Sequence, residues 1–146
     1  MVAWKTETFT STFHTVLIVS EDAEMTSVWE TLFKQKDCAV INETSPNDAV
    51  QTAHLLAPSL IILDLGLPHD ERVALCSALR ATTRGTLLLL APKENEQQIF
   101  EYYRAGVDER LSTPISPLVL LVKSISWLMR SQWIGPSQTN MTQISA

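Results

Sequence analysis

A chain of 146 residues, 45% hydrophobic and 18% charged, is long enough for one buried core and too short for two ordinary domains, and its apolar content excludes a disordered polymer. A net charge of −5 leaves no basic stripe, so the attraction that dominates nucleic-acid binding is missing and direct DNA contact is not expected. Cys38 and Cys76 each lie in an apolar stretch with no CxxC or histidine cluster nearby, which gives zinc nothing to bind and fits a reducing compartment.

Residues 1–14 carry Lys5 and Glu7 among Ser and Thr, without the apolar stretch of a signal peptide. They read as a flexible extension. The longest apolar runs, such as Leu87–Leu90 and Leu118–Val122, fall far short of the ~20 residues a membrane span requires. The expectation is a soluble, cytoplasmic protein with no membrane partner. Between residues 15 and 130, short apolar runs alternate with amphipathic stretches. Thr15–Ser20 is β-branched and nearly all apolar, the pattern of a strand buried on both faces of a parallel sheet. Met25, Val28, Trp29, Leu32 and Phe33 then recur at helical spacing and predict one buried helix face.

Cys38–Ile41 predicts a second strand. Ser45, Pro46 and Asp48 supply an N-cap, a first-turn proline and a first-turn acid for a helix over Pro46–Leu56. Leu60–Leu63 repeats the buried-strand pattern and ends in Asp64, after which Gly66 and Pro68 break the chain into a loop. Val73, Leu75, Cys76 and Leu79 predict a third helix, and Thr86–Leu90 a fourth strand. Ile99, Phe100 and Tyr103 mark a fourth helix stopped by Gly106. Arg110–Ser112 predicts a short fifth strand, and Pro117 opens a last apolar helix. Residues 131–146, rich in Ser, Thr and Gln with Gly135-Pro136, read as a C-terminal tail in which Trp133 and Ile134 alone could dock.

Strict alternation of buried strands and helices predicts an α/β fold, a doubly wound five-stranded parallel sheet with five helices on its two faces. Ligand sites in such sheets lie beyond the carboxyl ends of the strands, where strand order reverses. The residues to inspect are therefore Ser20–Asp22, Asp64–Gly66, Ala91–Lys93 and Thr113. Asp64 and the acids Glu21 and Asp22 would converge there, and carboxylates with a backbone carbonyl suit Mg²⁺. Each acid also has a plainer explanation, since Asp64 can start a turn and Glu21 and Asp22 can begin a helix.

Four blocks carry a resemblance: Val16–Asp22 (VLIVSED), Leu60–Pro68 (LIILDLGLP), Arg104–Asp108 (RAGVD) and Leu111–Pro117 (LSTPISP). In this order, over roughly residues 15–130, the chain resembles the receiver domain of bacterial response regulators, whose fold is the flavodoxin-like receiver fold. The resemblance implies that Asp64 holds the phosphoacceptor position, Glu21 the main acidic metal position, and the Gly66 carbonyl a third metal contact. Ser20 replaces the first acid of the usual pair, so Mg²⁺ is expected to bind weakly, with Ser20 or Asp22 as the remaining ligand. In the family the acceptor carboxylate attacks phosphorus while Mg²⁺ and nearby donors neutralise the equatorial oxygens.

Three departures fall on that machinery. Thr113 stands where the family has a lysine, and loss of one placed charge-stabilising donor is worth about 3 kcal/mol of transition-state energy. Ala91 stands where a hydroxyl binds the phosphoryl group, and Arg110 where an aromatic side chain reports phosphorylation to the far surface. Arg72 also stands where a glycine is common. Lys93 could substitute as a cation but reads more simply as a solvated loop lysine. Strand alternation points Arg110 to the face opposite Thr113.

In the last helix, Leu118, Leu121, Val122, Ile125, Leu128 and Met129 fit an inward face. Val119, Leu120 and Trp127, extended by Trp133, would form an outward apolar patch for a partner or a second copy. Two functions follow from the resemblance: a degenerate receiver acting as a phosphorylation-independent interaction module, which the departures favour, and a Mg²⁺-dependent phosphoacceptor. The expected partners are a sensor histidine kinase or another signalling protein. A flavodoxin-like nucleotide binder would need a Gly/Ser/Thr-rich loop after the first strand, where Ser20–Glu24 offers acids instead. A nucleophilic enzyme finds no G-x-S-x-G and no placed histidine among His14, His54 and His69.

Overall fold

The computed structural model describes residues 14–130. Within them, five strands, β1 (His14–Ser20), β2 (Cys38–Glu43), β3 (Leu60–Asp64), β4 (Thr86–Ala91) and β5 (Glu109–Ser112), alternate with five helices. The helices are α1 (Ala23–Lys34), α2 (Pro46–Leu56), α3 (His69–Arg80), α4 (Glu96–Arg104) and α5 (residues 117–130). The strands form one parallel sheet in the order β2-β1-β3-β4-β5, the doubly wound architecture that the alternation predicts. None of the described helices is long and apolar enough to cross a membrane.

The period-2 alternation of the central strands sorts their side chains into two cores. Leu17, Val19, Ile61, Leu63, Leu87, Leu89 and Ala91 face the side covered by α2, α3 and α4. Val16, Ile18, Leu60, Ile62, Leu88 and Leu90 face α1 and α5. Burial on both faces explains why these strands read as unbroken apolar runs. Helix starts follow local chemistry: Ser45 Oγ accepts from Asp48 N with Pro46 in the first turn of α2, and Asn95 and Gln98 close a reciprocal capping box on α4.

The strands differ from expectation mainly at their ends. β1 begins at His14, β2 runs on to Glu43, β4 includes Ala91 and β5 includes Glu109.

Helix faces needed more correction. In α1, Val28 is exposed while Thr26, Trp29 and Phe33 are buried. In α4, Phe100 and Tyr103 lie outward, and the side chain fully buried is Tyr102. Its ring enters the core while its hydroxyl meets a polar cluster, a placement suited to an amphipathic aromatic.

In α5, Leu120, expected on the outward patch, is 0% exposed, whereas Leu118 and Val122, expected inward, are 63% and 66% exposed. Met129 is exposed too. The buried stripe runs through Leu120, Leu121, Ser124 and Leu128. A serine at its centre breaks the apolar pattern and shifts the apparent phase of the helix. Val119 lies outward as expected, but Trp127 is partly buried, packs against the core and donates from Nε1 to Glu109 at 2.8 Å. Trp133 lies outside the described residues.

Candidate functional site

Strand order reverses between the paired strands β1 and β3, because the chain leaves β1 for β2 on one side and β3 for β4 on the other, so the crevice at their carboxyl ends is where a doubly wound fold places a ligand. The register sets Ser20 directly opposite Asp64. Ser20 is buried; its hydroxyl donates to Asp64 Oδ2 at 3.3 Å and accepts from the Asp22 amide at 3.1 Å. One short side chain thereby ties together the two loops that flank the crevice.

Asp64 is half-buried. Burial pushes its carboxyl above the ordinary aspartate range; the Ser20 hydrogen bond and the Arg72 charge pull the other way, and the neighbouring Asp22 carboxylate adds to the rise. Asp22 is partly occupied already, because its Oδ1 accepts from Met25 N at 3.0 Å as the N-cap of α1. Glu21 and Gly66 are exposed, and nothing lies within 4 Å of the space a Cβ would fill at Gly66.

Of the residues expected to bind Mg²⁺, Ser20 and Asp64 are in contact and Asp22 lies near enough for its charge to act on Asp64. Among the described residues, no three His, Cys, Asp or Glu side chains come together in a way that could hold a metal ion. A neutral hydroxyl stands where the resemblance implies a second carboxylate, which leaves less negative charge for a hard cation. The residues present do not fit a tight Mg²⁺ site.

Beyond Asp64 the strand ends carry little. Ala91 is fully buried and apolar. Thr113 is partly buried and donates its amide to the Ala91 carbonyl at 3.0 Å, followed by a cis peptide to Pro114. Lys93 is exposed.

The positive charge lies one step away, on the α3/α4 side of the sheet. Glu94, whose side chain is 8% exposed, receives Arg110 through Nε at 3.3 Å and Nη2 at 3.0 Å, and Arg72 through Nη1 at 3.5 Å. The Tyr102 hydroxyl donates to Glu94 at 2.6 Å and accepts from Arg72 Nη1 at 3.1 Å. Arg110 also donates to the Pro92 carbonyl and the Ser112 hydroxyl, and Arg72 to the Leu65 carbonyl at 3.4 Å. Burial acts most strongly on Glu94 and opposes its ionisation, but the Tyr102 and Arg110 hydrogen bonds and the two guanidinium charges together hold its carboxyl below the usual glutamate range.

The sequence reading singled out Arg72 and Arg110 as departures without their shared partner. Glu94 and Tyr102 were missed. A signal was present for Arg110: alternation turns it toward a packed helical layer, and a charge facing such a layer requires a counter-charge.

Several independent likenesses agree with this architecture. Residues 16–124 match the response regulator receiver domain family. The transcriptional regulatory protein RstA of Escherichia coli is 26% identical over 137 residues, 91% of this chain and 57% of that protein. This chain thus spans little more than half the length of that relative. A CheY-like response regulator receiver domain protein from Methanospirillum hungatei superposes with a TM-score of 0.75 at 18% identity, over 84% of this chain and 99% of that one. A two-component response regulator from Clostridium difficile gives 0.72 at 20% identity, over 80% and 97%. With the family match spanning most of the chain and the receiver fold shared with both solved structures, the chain belongs to the response regulator receiver domain family of two-component signalling.

Proposed function

We propose that this receiver unit, residues 15–130, works as a protein-interaction module whose binding does not wait for a phosphoryl group on Asp64. The observation that carries the reading is the closed charged cluster around Glu94. It occupies the side of β4 and β5 where Ala91 brings no hydroxyl and Arg110 no aromatic ring. Both guanidinium groups there are already committed to Glu94, Tyr102 and backbone carbonyls. Catalysis of phosphoryl transfer rests on placed charge, and Thr113 supplies none.

Asp64 keeps the phosphoacceptor position, and Glu21 and the Gly66 carbonyl the metal positions, that the family resemblance assigns. A second reading, a working phosphoacceptor with weak Mg²⁺ binding, draws support from the Arg72 charge, which reaches the Asp64 carboxyl. A sensor histidine kinase would then be the donor. Under the favoured reading the partner is another signalling protein or a second copy, and the surface on offer is the outer side of α5. There Leu118, Val119, Val122 and Met129 are exposed, with Leu120 removed from the patch and Trp127 held by Glu109.

Incubation with Mg²⁺ and acetyl phosphate, followed by intact mass, separates the two. The expected result is no adduct on the parent chain and a slow gain of one in Ala91→Thr/Thr113→Lys, dependent on Asp64. An adduct on the parent that Asp64→Asn removes would overturn the favoured reading.

A further inference from the structure

His69, the first residue of α3, sits five residues beyond Asp64 and joins the loop after the crevice to α4. Its Nε2 lies 2.6 Å from Glu101 Oε1, and its Nδ1 lies 3.0 Å from the Tyr102 hydroxyl oxygen and 3.5 Å from Glu94 Oε2. The imidazole and the Tyr102 ring meet edge-on, with centroids 5.0 Å apart.

Counting protons shows what each state of the ring costs its neighbours. A phenol has one proton, and Tyr102 donates it to Glu94 at 2.6 Å, so its oxygen can only accept from His69 Nδ1 and from Arg72 Nη1. The Glu101 carboxylate accepts from His69 Nε2 and from Gln97 Nε2. While the phenol proton stays on Glu94, both imidazole nitrogens face groups that need a donor, and only the doubly protonated ring satisfies both. A neutral ring must set a lone pair either against the Glu101 carboxylate or against the Tyr102 oxygen. In the second case the phenol has to turn its proton from Glu94 to His69, leaving Glu94 to the arginines alone.

We propose that His69 is a proton-operated clasp between the loop following Asp64 and helix α4: fully closed when the imidazole carries two protons, and weakened when one is lost, because either the Glu101 contact or the Tyr102–Glu94 hydrogen bond must then be given up. Every charged group facing the ring acts on the same transition. Glu101 on α4 and Glu94 on the β4–α4 loop favour the cation. Arg72 on α3 and Arg110 on β5 oppose it indirectly, because they share Glu94. Asp70 and Glu71 follow on the ring's own helix. The Glu101 hydrogen bond, above all, raises the imidazole above its ordinary range against a smaller opposing effect of burial. A histidine raised in the folded state stabilises fully below its unfolded value of about 6.5, and loses that contribution as pH rises through the folded value. The clasp thus loosens on the alkaline side of the ordinary histidine value. It sets how firmly α4, with Phe100 and Tyr103 on its outer face, is held to the rest of the domain. It operates whether or not Asp64 is ever phosphorylated.

The test is a titration of the full chain followed by imidazole and backbone-amide NMR between about pH 5 and 9. His69 should titrate above the ordinary histidine value. Amides of residues 65–69 and 96–104 should move with the same midpoint, and Glu101→Gln should lower both midpoints together. In Tyr102→Phe, His69 should still titrate high through Glu101 while the amides of residues 94 and 95 stop following it. A His69 midpoint at or below about 6.5 in the parent chain, or α4 amides blind to it, would overturn the clasp. Should Tyr102→Phe fail to fold, the exposed-side variant Glu101→Gln decides the matter alone.

Discussion

Asp64 ends β3 and Glu94 follows the neighbouring β4, and desolvation pushes both carboxyls toward the neutral acid, yet they end on opposite sides of their ordinary ranges. Asp64 has one hydroxyl donor, a like-charged neighbour in Asp22, and a guanidinium that reaches it only through its field. Glu94 has a phenol and two arginines in contact. Burial alone decides neither case; the number of donors that come with it does. The lesson is about where the chain has spent its positive charge. Little of it is at the crevice, and two guanidiniums are spent at the α4–β5 corner.

The largest effect should come from Glu94→Ala. Removing the shared partner leaves Arg110, with a side chain 5% exposed, and Arg72, at 8%, as buried cations without their counter-charge. Such a loss costs about 3–5 kcal/mol. Urea denaturation checks it, and a cost below about 1 kcal/mol would mean the corner is solvated and the contrast with Asp64 is only apparent.

Arg72→Ala should fall between the two sites. It leaves Glu94 with Arg110 and removes a charge-assisted contact, so a cost of about 1–3 kcal/mol is expected. The same change should raise the Asp64 carboxyl further, because Arg72 is one of the two influences holding it down. A carboxyl-carbon NMR titration of Asp64 reads this directly, and an unmoved midpoint would show that the corner and the crevice are electrostatically separate.

The sequence carried the fold because its signals are local and redundant. Each central strand is an apolar run bounded by turn residues, and α2 announces both ends, Pro46 and Leu56, through Ser45 and the change of composition after it. The chain blocks around Asp64 carried the family. Helix rotation was less legible, since a stripe containing one small polar residue, Ser124 in α5, or one amphipathic aromatic, Tyr102 in α4, has two plausible phases when only hydropathy is read. The Glu94 cluster was the least legible feature. Its members come from α3, the β4–α4 loop, α4 and β5, spaced up to 38 residues apart between Arg72 and Arg110, and only the folded sheet brings them together. The chemistry beside Asp64 was half-legible: Ser20 in place of an acid is plain in the sequence, but the capture of Asp22 by the α1 N-terminus appears only with the backbone.

The smallest effect has the opposite sign and tests the comparison most finely. The ionised carboxylate of Asp64 is less favourable in the folded chain than in the unfolded one, because its carboxyl is raised by burial and by Asp22 against the partial relief from Ser20 and Arg72. For an acid raised in this way, folding favours proton uptake. The penalty is full above the folded value, shrinks as pH falls through it, and is gone below the unfolded value of about 3.9. Asp64→Asn removes the charge and keeps an oxygen that can accept from Ser20. At neutral pH it should therefore raise the urea midpoint slightly, where Glu94→Gln lowers it, and the gain should vanish in acid. Stability given up at a single half-buried carboxylate, in a domain that fully pairs the neighbouring one, is what a position kept for contact with something outside the chain would show. If Asp64→Asn instead destabilises at neutral pH, the Ser20 bond and the Arg72 field outweigh desolvation, and Asp64 joins Glu94 as a structural carboxylate.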